Sequence, residues 1–344
     1  MTDDIVIRVE GRAGRITLNR PKALNALTWD MCGRIEAALD DWAGDDSVAM
    51  LVIDAAGDKA FCAGGDIAEM YATGTAGDFD YGRRFWADEY RMNAKLFNFP
   101  KPVATFLQGF TMGGGVGVGC HASHRIVCDT SKIAMPECGI GLVPDVGGSL
   151  ILARAPGRLG EYLGVTASRM GPGDAIHAGF ADYLVPLDKW DALKAELGET
   201  ADWEAVDRAA APAPDAPLAA RRAEIDRLFV GDALRDILNA LRHAGTDFAG
   251  ETLEAMGRNS PLSMACAVDL IRRVRALDTI EAALELEYRF TSRSMEKGDF
   301  LEGIRAAIID KDRQPRWQHE TMEGPANREV SAMLLPLGAD GLKL

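Results

Sequence analysis

The 344-residue sequence predicts an α/β protein followed by a helical C-terminal region. Strand-like β-branched runs alternate with helix-like segments from residue 5 to about residue 187, which is typical of strands joined by crossover helices. Residues 191–220 are rich in alanine and proline, a composition typical of a linker. From residue 221 the apolar residues recur with helical spacing. We therefore expect an α/β core at 1–190, a linker at 191–220 and a helical region at 221–344.

The individual elements follow from local patterns. Residues 5–9 and 15–18 alternate apolar and polar side chains and predict a hairpin. Thr28 can cap an amphipathic helix, and the β-branched run at 48–53 predicts a buried strand, so the order predicts a parallel crossover. Further helices are predicted at 81–97 (with Tyr90 among its apolar positions), 149–163 and 173–178, and further strands at 103–107, 125–128, 132–135 and 179–185.

The composition excludes several classes of protein. A net charge of −14 disfavours nucleic acid as a partner, because phosphate binding depends on clustered Lys and Arg. The apolar runs are too short to span a bilayer, and the acidic N-terminus lacks the apolar core of a signal peptide. We therefore expect a soluble, cytoplasmic protein with no membrane partner.

The cysteines and histidines point to no disulfide framework and no metal. The six cysteines include no C-x-x-C pair and several stand in apolar contexts, so we expect reduced, packed thiols. Cys62 and Cys138 lie beside the features described next, but no histidine is an obvious partner for a nucleophilic role. The five histidines are scattered without the spacing of metal ligands, and no metal is expected.

Two glycine-rich loops offer bare backbone donors. The cluster at 113–119 begins a predicted helix, and the first N–H groups of a helix have no intrahelical acceptor. The loop at 63–65 is a second segment whose backbone N–H groups could point at a ligand. Two N–H groups converging on one oxygen would form an oxyanion hole for acyl or enolate chemistry. The alternative is that the glycines serve close helix packing alone. No Lys-Ser/Thr follows, which excludes a Walker loop, and a dinucleotide fingerprint would belong to the first strand–helix unit. Asp66 is expected to cap the next helix.

Two acids follow the second glycine cluster. Glu137 and Asp145 are separated by an apolar, glycine-rich segment, where desolvation would raise the pKa of each carboxyl group. One could act as a nucleophile or base and the other as an acid. For either acid alone, a helix cap or a structural ion pair is the alternative.

The two glycine loops, Phe61-Cys62-Ala63-Gly64-Gly65-Asp66 and Gly113-Gly114-Gly115, resemble the oxyanion loops of the crotonase (enoyl-CoA hydratase) superfamily. Within it, the segments at 111–117, 134–137, 141–148, 287–289, 299–306 and 309–312 resemble the 3-hydroxyisobutyryl-CoA hydrolases. The likeness extends from about residue 5 to residue 317. It implies a crotonase-like spiral of ββα units and a helical C-terminal region that covers the acyl site.

The resemblance also implies roles for single residues. Gly65 and Gly114 would supply the oxyanion amides, Glu137 would be the principal catalytic carboxylate and Asp145 its partner. Further substrate-binding positions are implied at Glu89, at Ala23, Leu24 and Asn25 (near the adenine and pantetheine of CoA), and at Ala63, Asp66 and Ile67. No cofactor is implied, since CoA is part of the substrate. Arg20, Lys22 and Lys59 are our own candidates for phosphate contacts, with solvated surface charge as the alternative.

One position separates the subclasses. Hydratases of this superfamily carry a glutamate two residues after the glycine triplet, where this sequence has Gly117. The missing glutamate therefore favours thioester hydrolysis over an enoyl-CoA hydratase or isomerase. The resemblance to the 3-hydroxyisobutyryl-CoA hydrolases implies that the products are 3-hydroxyisobutyrate and CoA, in valine catabolism. A catalytically silent acyl-CoA binding protein is a further alternative, which the two retained acids disfavour. Superfamily members often form trimers or hexamers, which leaves a homo-oligomer open.

Overall fold

The computed structural model describes residues 3–344, which form two compact units. The first unit comprises the chain up to Asp66, Arg91–Ala134 and Arg169–Ala219. The second unit comprises Ile67–Tyr90, Met135–Ser168 and Ala220–Leu344. Each unit is therefore assembled from separate stretches of sequence.

All strands of the described chain belong to the first unit. They are β1 (Ile5–Glu10), β2 (Ala13–Leu18), β3 (Met50–Ala55), β4 (Ala60–Cys62), β5 (Val103–Phe106), β6 (Phe110–Met112), β7 (His124–Val127), β8 (Lys132–Ala134) and β9 (Tyr183–Leu184).

The α-helices occur in both units, and the second unit also contains short 3-10 helices and a π-helix at Arg305–Ile309. The α-helices are given next in chain order. They are α1 (Trp29–Ala43), α2 (Ala68–Thr75), α3 (Asp80–Phe97), α4 (Gly114–Gly119), α5 (Gly148–Arg154), α6 (Leu159–Thr166), α7 (Pro172–His177), α8 (Trp190–Thr200), α9 (Glu204–Ala209), α10 (Pro217–Leu228), α11 (Leu234–Ala244), α12 (Asp247–Met256), α13 (Pro261–Leu277), α14 (Ile280–Lys297), α15 (Phe300–Ile304) and α16 (Asn327–Met333).

The strands form two sheets. A six-stranded sheet has the order β1-β2-β3-β5-β7-β9; its β1–β2 pair is the predicted antiparallel hairpin, and its other pairs are parallel. A second sheet has the order β4-β6-β8 with every pair parallel. All six residues of β3 are buried, as expected for a central strand of a parallel sheet covered on both faces. The α/β fold class predicted from the sequence is confirmed.

Residues 191–220 differ from the expected linker. They contain most of α8 and all of α9, and Trp190, Leu193, Leu197 and Val206 belong to the hydrophobic cluster formed with strand residues such as Phe106. The alanine- and proline-rich stretch at 210–216, between α9 and α10, has no regular structure apart from an isolated bridge at Ala211, so the difference from the prediction is confined to the helical parts. The expected boundary near residue 190 is accordingly displaced, since the first unit extends to Ala219.

The helix predicted at 149–163 is also two helices, α5 and α6. Pro156 disfavours helical backbone at the preceding residue, and Ala155 is extended with φ −58° and ψ 147°. Gly157 follows with φ +62°, a value that favours glycine. The Pro-Gly pair therefore ends α5 and turns the chain into α6.

No helix among residues 3–344 is both long and apolar enough to cross a bilayer.

Candidate active site

The two glycine loops leave neighbouring parallel strands. Strand β4 ends at Cys62 and β6 ends at Met112, and the carboxyl ends of parallel strands meet at one edge of a sheet. A Cβ atom on Gly115 would lie 2.3 Å from the Cys62 carbonyl oxygen, so only glycine allows this approach. Gly64 and Gly113 have φ values of +116° and +50°. The structure therefore brings together the two loops that the sequence predicted as oxyanion loops.

The backbone around Gly65 and Gly114 supports their expected roles as donors. Leu27 N donates to Gly64 O at 2.9 Å, and Asp66 N donates to Leu27 O at 2.7 Å. In such a parallel bridge the N–H of the intervening residue, Gly65, points away from Leu27. Gly114 is the first residue of α4, and helix geometry gives its N–H no intrahelical acceptor.

The loop that was expected to contact CoA is tied to the Gly65 loop. Ala63 N donates to Leu24 O at 3.0 Å, and both Leu24 and Asn25 have left-handed backbone. The buried Asn25 side chain accepts from Arg20 N and donates to the carbonyl oxygens of Ala56 and Ala60. The side-chain amide of Asn25 therefore makes its hydrogen bonds within the protein and holds the loop. Only the backbone groups of Asn25 are then left to contact a ligand.

The exposed surface beside this loop contains basic side chains. A cavity of about 250 Å³ is lined by Lys22, Lys59 and neighbouring residues of 21–25 and 56–60. Ala23 lies exposed on the short 3-10 turn of this loop. The CoA contacts of Ala23, Leu24 and Asn25, and the phosphate contacts of Lys22 and Lys59, stay predictions.

Two expectations for charged residues of the first unit need correction. The Arg20 guanidinium lies 3.0 Å from Asp66, 3.4 Å from Asp4 and 2.6 Å from Ala26 O, so it is engaged within the protein. These contacts favour a structural role for Arg20 over a phosphate contact. Asp66 does not cap the next helix, because the N-cap position of α2 is Ile67, which makes no side-chain cap bond. Asp66 stands one residue too early and pairs with Arg20 instead.

A cluster of buried acids belongs to the second unit. Glu89 lies on α3, Glu137 begins a short 3-10 turn, and Asp145 precedes α5; each is at most 4% exposed. A fourth acid, Glu287 on α14, is completely buried. The Oε1 atom of Glu89 and the Oε2 atom of Glu137 are buried without a hydrogen-bond partner in the described chain. Native proteins leave few such groups unpaired, so these atoms are candidates for contacting a ligand.

Burial raises the pKa of every acid in this cluster, and the charges of neighbouring acids add to the rise for Glu89, Glu137 and Glu287. Burial raises the pKa of Glu137 well above its ordinary value, and the charges of Asp145, Glu287 and Glu89 add to the rise. Burial and the Asp145 charge do the same to the pKa of Glu89. Burial raises the pKa of Asp145 to about 7, against the hydrogen bond from Tyr90. A site with such carboxyl groups can hold and transfer protons near neutral pH.

Tyr90 is a site residue that sequence reasoning missed. Its hydroxyl donates to Asp145 Oδ2 at 2.6 Å and lies 3.4 Å from Thr291 Oγ1. The Tyr288 ring packs edge-on against the Tyr90 ring, with centroids 6.2 Å apart. The sequence pattern identified Tyr90 only as an apolar helix position, and its place next to Glu89 was the available signal.

Glu287 is the second residue that was missed. Its carboxylate accepts from Gly147 N at 2.8 Å, from Ser149 N at 3.2 Å and from the Ser149 hydroxyl. Burial raises the pKa of Glu287 to about 8, against the hydrogen bonds from Ser149 and Gly147, and the Asp145 charge adds to the rise. Glu287 lies on the same face of the predicted helix as Leu284 and Thr291. An acid on a helix face that is otherwise uncharged was the available signal that Glu287 is a site residue.

The cysteines beside the site are buried thiols, as predicted. All six cysteines are buried, and no disulfide joins any of them in the described chain. Burial and the Glu137 charge raise the pKa of Cys138 well above its ordinary value, which disfavours the nucleophilic thiolate. Cys62 Sγ donates to Gly64 O at 3.5 Å. Carboxyl groups and backbone amides are therefore the better candidates for the chemistry.

Comparison with known proteins identifies the family. A family model described as enoyl-CoA hydratase/isomerase matches residues 13–334. Two relatives are named 3-hydroxyisobutyryl-CoA hydrolase, mitochondrial. The Gallus gallus protein is 33% identical over 99% of this chain and 91% of its own length, and the Danio rerio protein is 35% identical over 99% of this chain and 92% of its own length. The Xenopus laevis relative of the same name is 36% identical over 97% of this chain and 89% of its own.

Two solved structures match over nearly the full length. One is titled an enoyl-CoA hydratase from Rhodobacter sphaeroides 2.4.1, with a TM-score of 0.94, 54% identity and coverage of 99% of this chain and 100% of its own. The other is titled a carnitinyl-CoA dehydratase from Mycobacterium thermoresistibile, with a TM-score of 0.94, 39% identity and 99% coverage of both chains. The predicted crotonase-like fold is confirmed, and the chain belongs to the enoyl-CoA hydratase/isomerase family.

Proposed function

We propose that this chain is an acyl-CoA thioester hydrolase that releases 3-hydroxyisobutyrate and CoA, and acts in valine catabolism. The observation that carries the proposal is the acid set: Glu137 and Asp145 are retained, whereas Gly117 occupies the place of the second hydratase glutamate. Gly117 lies inside the buried helix α4, where no side chain can supply the missing carboxylate. The full-length relatives named as hydrolases support the same activity.

The amides of Gly65 and Gly114 hold the thioester oxygen and stabilise the negative charge that develops on it. Glu137 then attacks the carbonyl carbon, and the C–S bond breaks to give an anhydride and CoA. Water hydrolyses the anhydride to the free acid and regenerates Glu137. Alternatively Glu137 takes a proton from water, which attacks the thioester directly. Both routes consume one thioester and one water and yield one carboxylic acid and one thiol.

Asp145 and Glu89 handle the substrate hydroxyl and the protons. With a pKa of about 7, Asp145 can exist as an acid or as a base at neutral pH, so it can donate a proton to the leaving thiolate or orient the 3-hydroxyl group. Glu89 has a raised pKa and an unpartnered Oε1 atom, which suits it to donate a hydrogen bond to the substrate. Ala63, Asp66 and Ile67 contribute further contacts to the acyl-CoA. No cofactor is needed, because CoA is part of the substrate.

The helical region 221–344 covers the acyl site in this proposal. Its helix α14 supplies Glu287, Tyr288 and Thr291, whose contacts with Tyr90 and the Asp145 turn support the idea. The proposed compartment is the cytoplasm, although the vertebrate relatives are named mitochondrial. A homo-oligomer remains a prediction that a sizing measurement would test.

The two matched structures are described as an enoyl-CoA hydratase and a carnitinyl-CoA dehydratase, so a second candidate function is an enoyl-CoA hydratase or dehydratase. A panel of acyl-CoA substrates separates the two, with free thiol and enoyl absorbance followed in parallel. We expect 3-hydroxyisobutyryl-CoA to release thiol fastest and crotonyl-CoA to show no hydration. Hydration of crotonyl-CoA without thiol release would overturn the proposed function.

Heavy-oxygen water distinguishes the two hydrolytic routes. In a single turnover, water attacks one of the anhydride's two carbonyl carbons. Attack on the enzyme's acyl carbon leaves label in Glu137, whereas general-base catalysis leaves none. Peptide mass analysis of the enzyme after one turnover measures this directly. Label in Glu137 supports the anhydride, and its complete absence with all label in the product acid would exclude attack at the enzyme carbon.

A further inference from the structure

The turn that presents Asp145 has an unusual backbone. Asp145 O accepts from Gly148 N at 2.7 Å, and the two central residues, Val146 and Gly147, have φ values of +54° and +77°. Glycine adopts such values freely, but a β-branched residue rarely does. Val146 is also buried, at 1% exposure. Left-handed backbone at Val146 must therefore be stabilised by the surrounding contacts.

Glu287 provides three of those contacts. Its Oε2 atom accepts from Gly147 N, and its Oε1 atom accepts from both the backbone and the hydroxyl of Ser149. All of these donors lie in the turn or just after it. A carboxyl group suits them because both of its oxygens can accept hydrogen bonds, whereas the amide nitrogen of a glutamine side chain can only donate.

The same helix also supports the side chain of Asp145. Thr291, one turn beyond Glu287 on α14, lies 3.4 Å from the Tyr90 hydroxyl, which donates to Asp145 Oδ2. Residues four apart share one face of a helix. That face therefore contacts both the backbone that carries Asp145 and the tyrosine that binds its carboxyl group.

We propose that Glu287 is a positioning residue for Asp145. By accepting hydrogen bonds from Gly147 and Ser149, it holds the left-handed turn in the geometry that keeps the Asp145 carboxyl group at Tyr90. This inference rests on the proposed hydrolase function, in which Asp145 handles protons or the substrate hydroxyl. A buried glutamate that served stability alone would leave the turnover of the folded enzyme unchanged.

The test is the variant Glu287→Gln, assayed by thiol release from 3-hydroxyisobutyryl-CoA. We expect kcat to fall about a hundredfold, because a displacement near 1 Å in a reacting group can cost that much. The KM is expected to stay within about twofold, since Glu287 does not contact the substrate in the proposal. A variant that melts earlier but keeps its kcat would overturn the proposal.

Val146→Gly supplies a rescue that a structural role would not produce. Glycine adopts the left-handed conformation without help, so the turn should depend less on Glu287. We expect the kcat of the double variant Glu287→Gln/Val146→Gly to be about tenfold higher than the kcat of Glu287→Gln. The effects of the two substitutions would then not be additive. Additive losses in the two variants would contradict the proposal.

Three further variants make each outcome decisive. Glu161→Gln is the matched control: Glu161 is equally buried, but its partners are Arg158, Arg272 and Arg275, so its kcat should be unchanged. Should Glu287→Gln not fold, Ser149→Ala removes only the hydroxyl donor, and an unchanged kcat there would count against the proposal. Asp145→Asn with full turnover would instead refute the catalytic role proposed for Asp145. A parent enzyme that releases no thiol from 3-hydroxyisobutyryl-CoA would refute the proposed function, and both outcomes differ from an unchanged kcat in Glu287→Gln.

Discussion

The glycine loops of the first unit and the acid cluster of the second unit supply chemical groups in opposite ways. In the proposed function the loops at Gly65 and Gly114 supply backbone amides, and these loops can approach each other because Gly115 has no side chain where strand β4 meets helix α4. The acid cluster uses side chains, and each acid depends on neighbours from distant parts of the sequence, such as Tyr90 and Glu287 for Asp145. Amide donors are thus encoded locally, whereas the acids are tuned by tertiary structure.

The largest effect is expected at Glu137. Glu137→Gln removes the nucleophile or base but keeps the size of the side chain, so kcat for thiol release should fall about a thousandfold or more. Stopped assays with free-thiol detection measure the loss, and thermal melting shows whether the fold is intact. A kcat within about tenfold of that of the parent enzyme would contradict the role of Glu137 as nucleophile or base.

The backbone side of the comparison is tested at Gly115. A Cβ atom there would collide with the Cys62 carbonyl, so Gly115→Ala must displace one of the two loops. We expect kcat to fall about a hundredfold, the usual effect of losing one oxyanion donor. Gly250→Ala is the matched control, because its Cβ meets nothing within 4 Å and it lies inside helix α12. That control should keep full activity and gain up to about 1 kcal/mol of stability.

The pH dependence of stability should expose the acid cluster. Burial raises the pKa of Asp145 to about 7, whereas an unfolded aspartate titrates near about 3.9. Between these values the folded state binds more protons, so this group destabilises the fold progressively as pH rises from about 4 to about 7. Asp145→Asn removes that ionisation. It should melt within about 1 °C of the parent at pH 4, and about 3 °C or more higher at pH 8.

The exposed Asp188→Asn serves as the control, because this side chain lies in solvent and outside the acid cluster. A difference between Asp145→Asn and the parent that does not change with pH would contradict the raised pKa of Asp145.

The smallest effect is expected at the basic residues in and beside the loop at 21–25, which is expected to contact CoA. Lys22 and Lys59 line the 250 Å³ cavity, and an exposed ion pair contributes about 0.2–1 kcal/mol. Lys22→Ala and Lys59→Ala should each raise the KM for the acyl-CoA by about fivefold or less, with an unchanged kcat. Added salt should reduce the difference from the parent enzyme. Lys189→Ala, another exposed lysine of the first unit, should leave the KM unchanged.

The part of the molecule that local patterns determine could be predicted from the sequence. The hairpin follows from the alternation of apolar and polar side chains in residues 5–18. The pairing of the two glycine loops follows from glycines such as Gly115, because only glycine allows the two backbones to approach so closely. The helix predicted at 149–163 ignored the Pro156-Gly157 pair, whose effect on the backbone is also local. The linker prediction is wrong for the segment of α8 and α9, because composition does not reveal that residues such as Leu197 pack against strand residues.

The acids show where sequence reasoning ends. Glu137 and Asp145 could be identified from their apolar surroundings, and their raised pKa values follow from burial. The hydroxyl of Tyr90 and the carboxylate of Glu287 reach Asp145 and its turn across 55 and 140 residues of sequence, which no local pattern encodes. Arg20 shows the converse, because its charge predicts a phosphate contact whereas its guanidinium group lies beside Asp66.

The central claim is that this scaffold hydrolyses a thioester instead of adding or removing water, and one substrate tests it. When 3-hydroxyisobutyryl-CoA is incubated with the enzyme, hydrolysis gives free CoA and 3-hydroxyisobutyrate, whereas dehydration gives the branched enoyl-CoA. Mass-resolved quantification of all three products reports both reactions together. We predict equal amounts of CoA and 3-hydroxyisobutyrate with no enoyl-CoA above the enzyme-free control. Enoyl-CoA as the main product, without free CoA, would contradict the assignment.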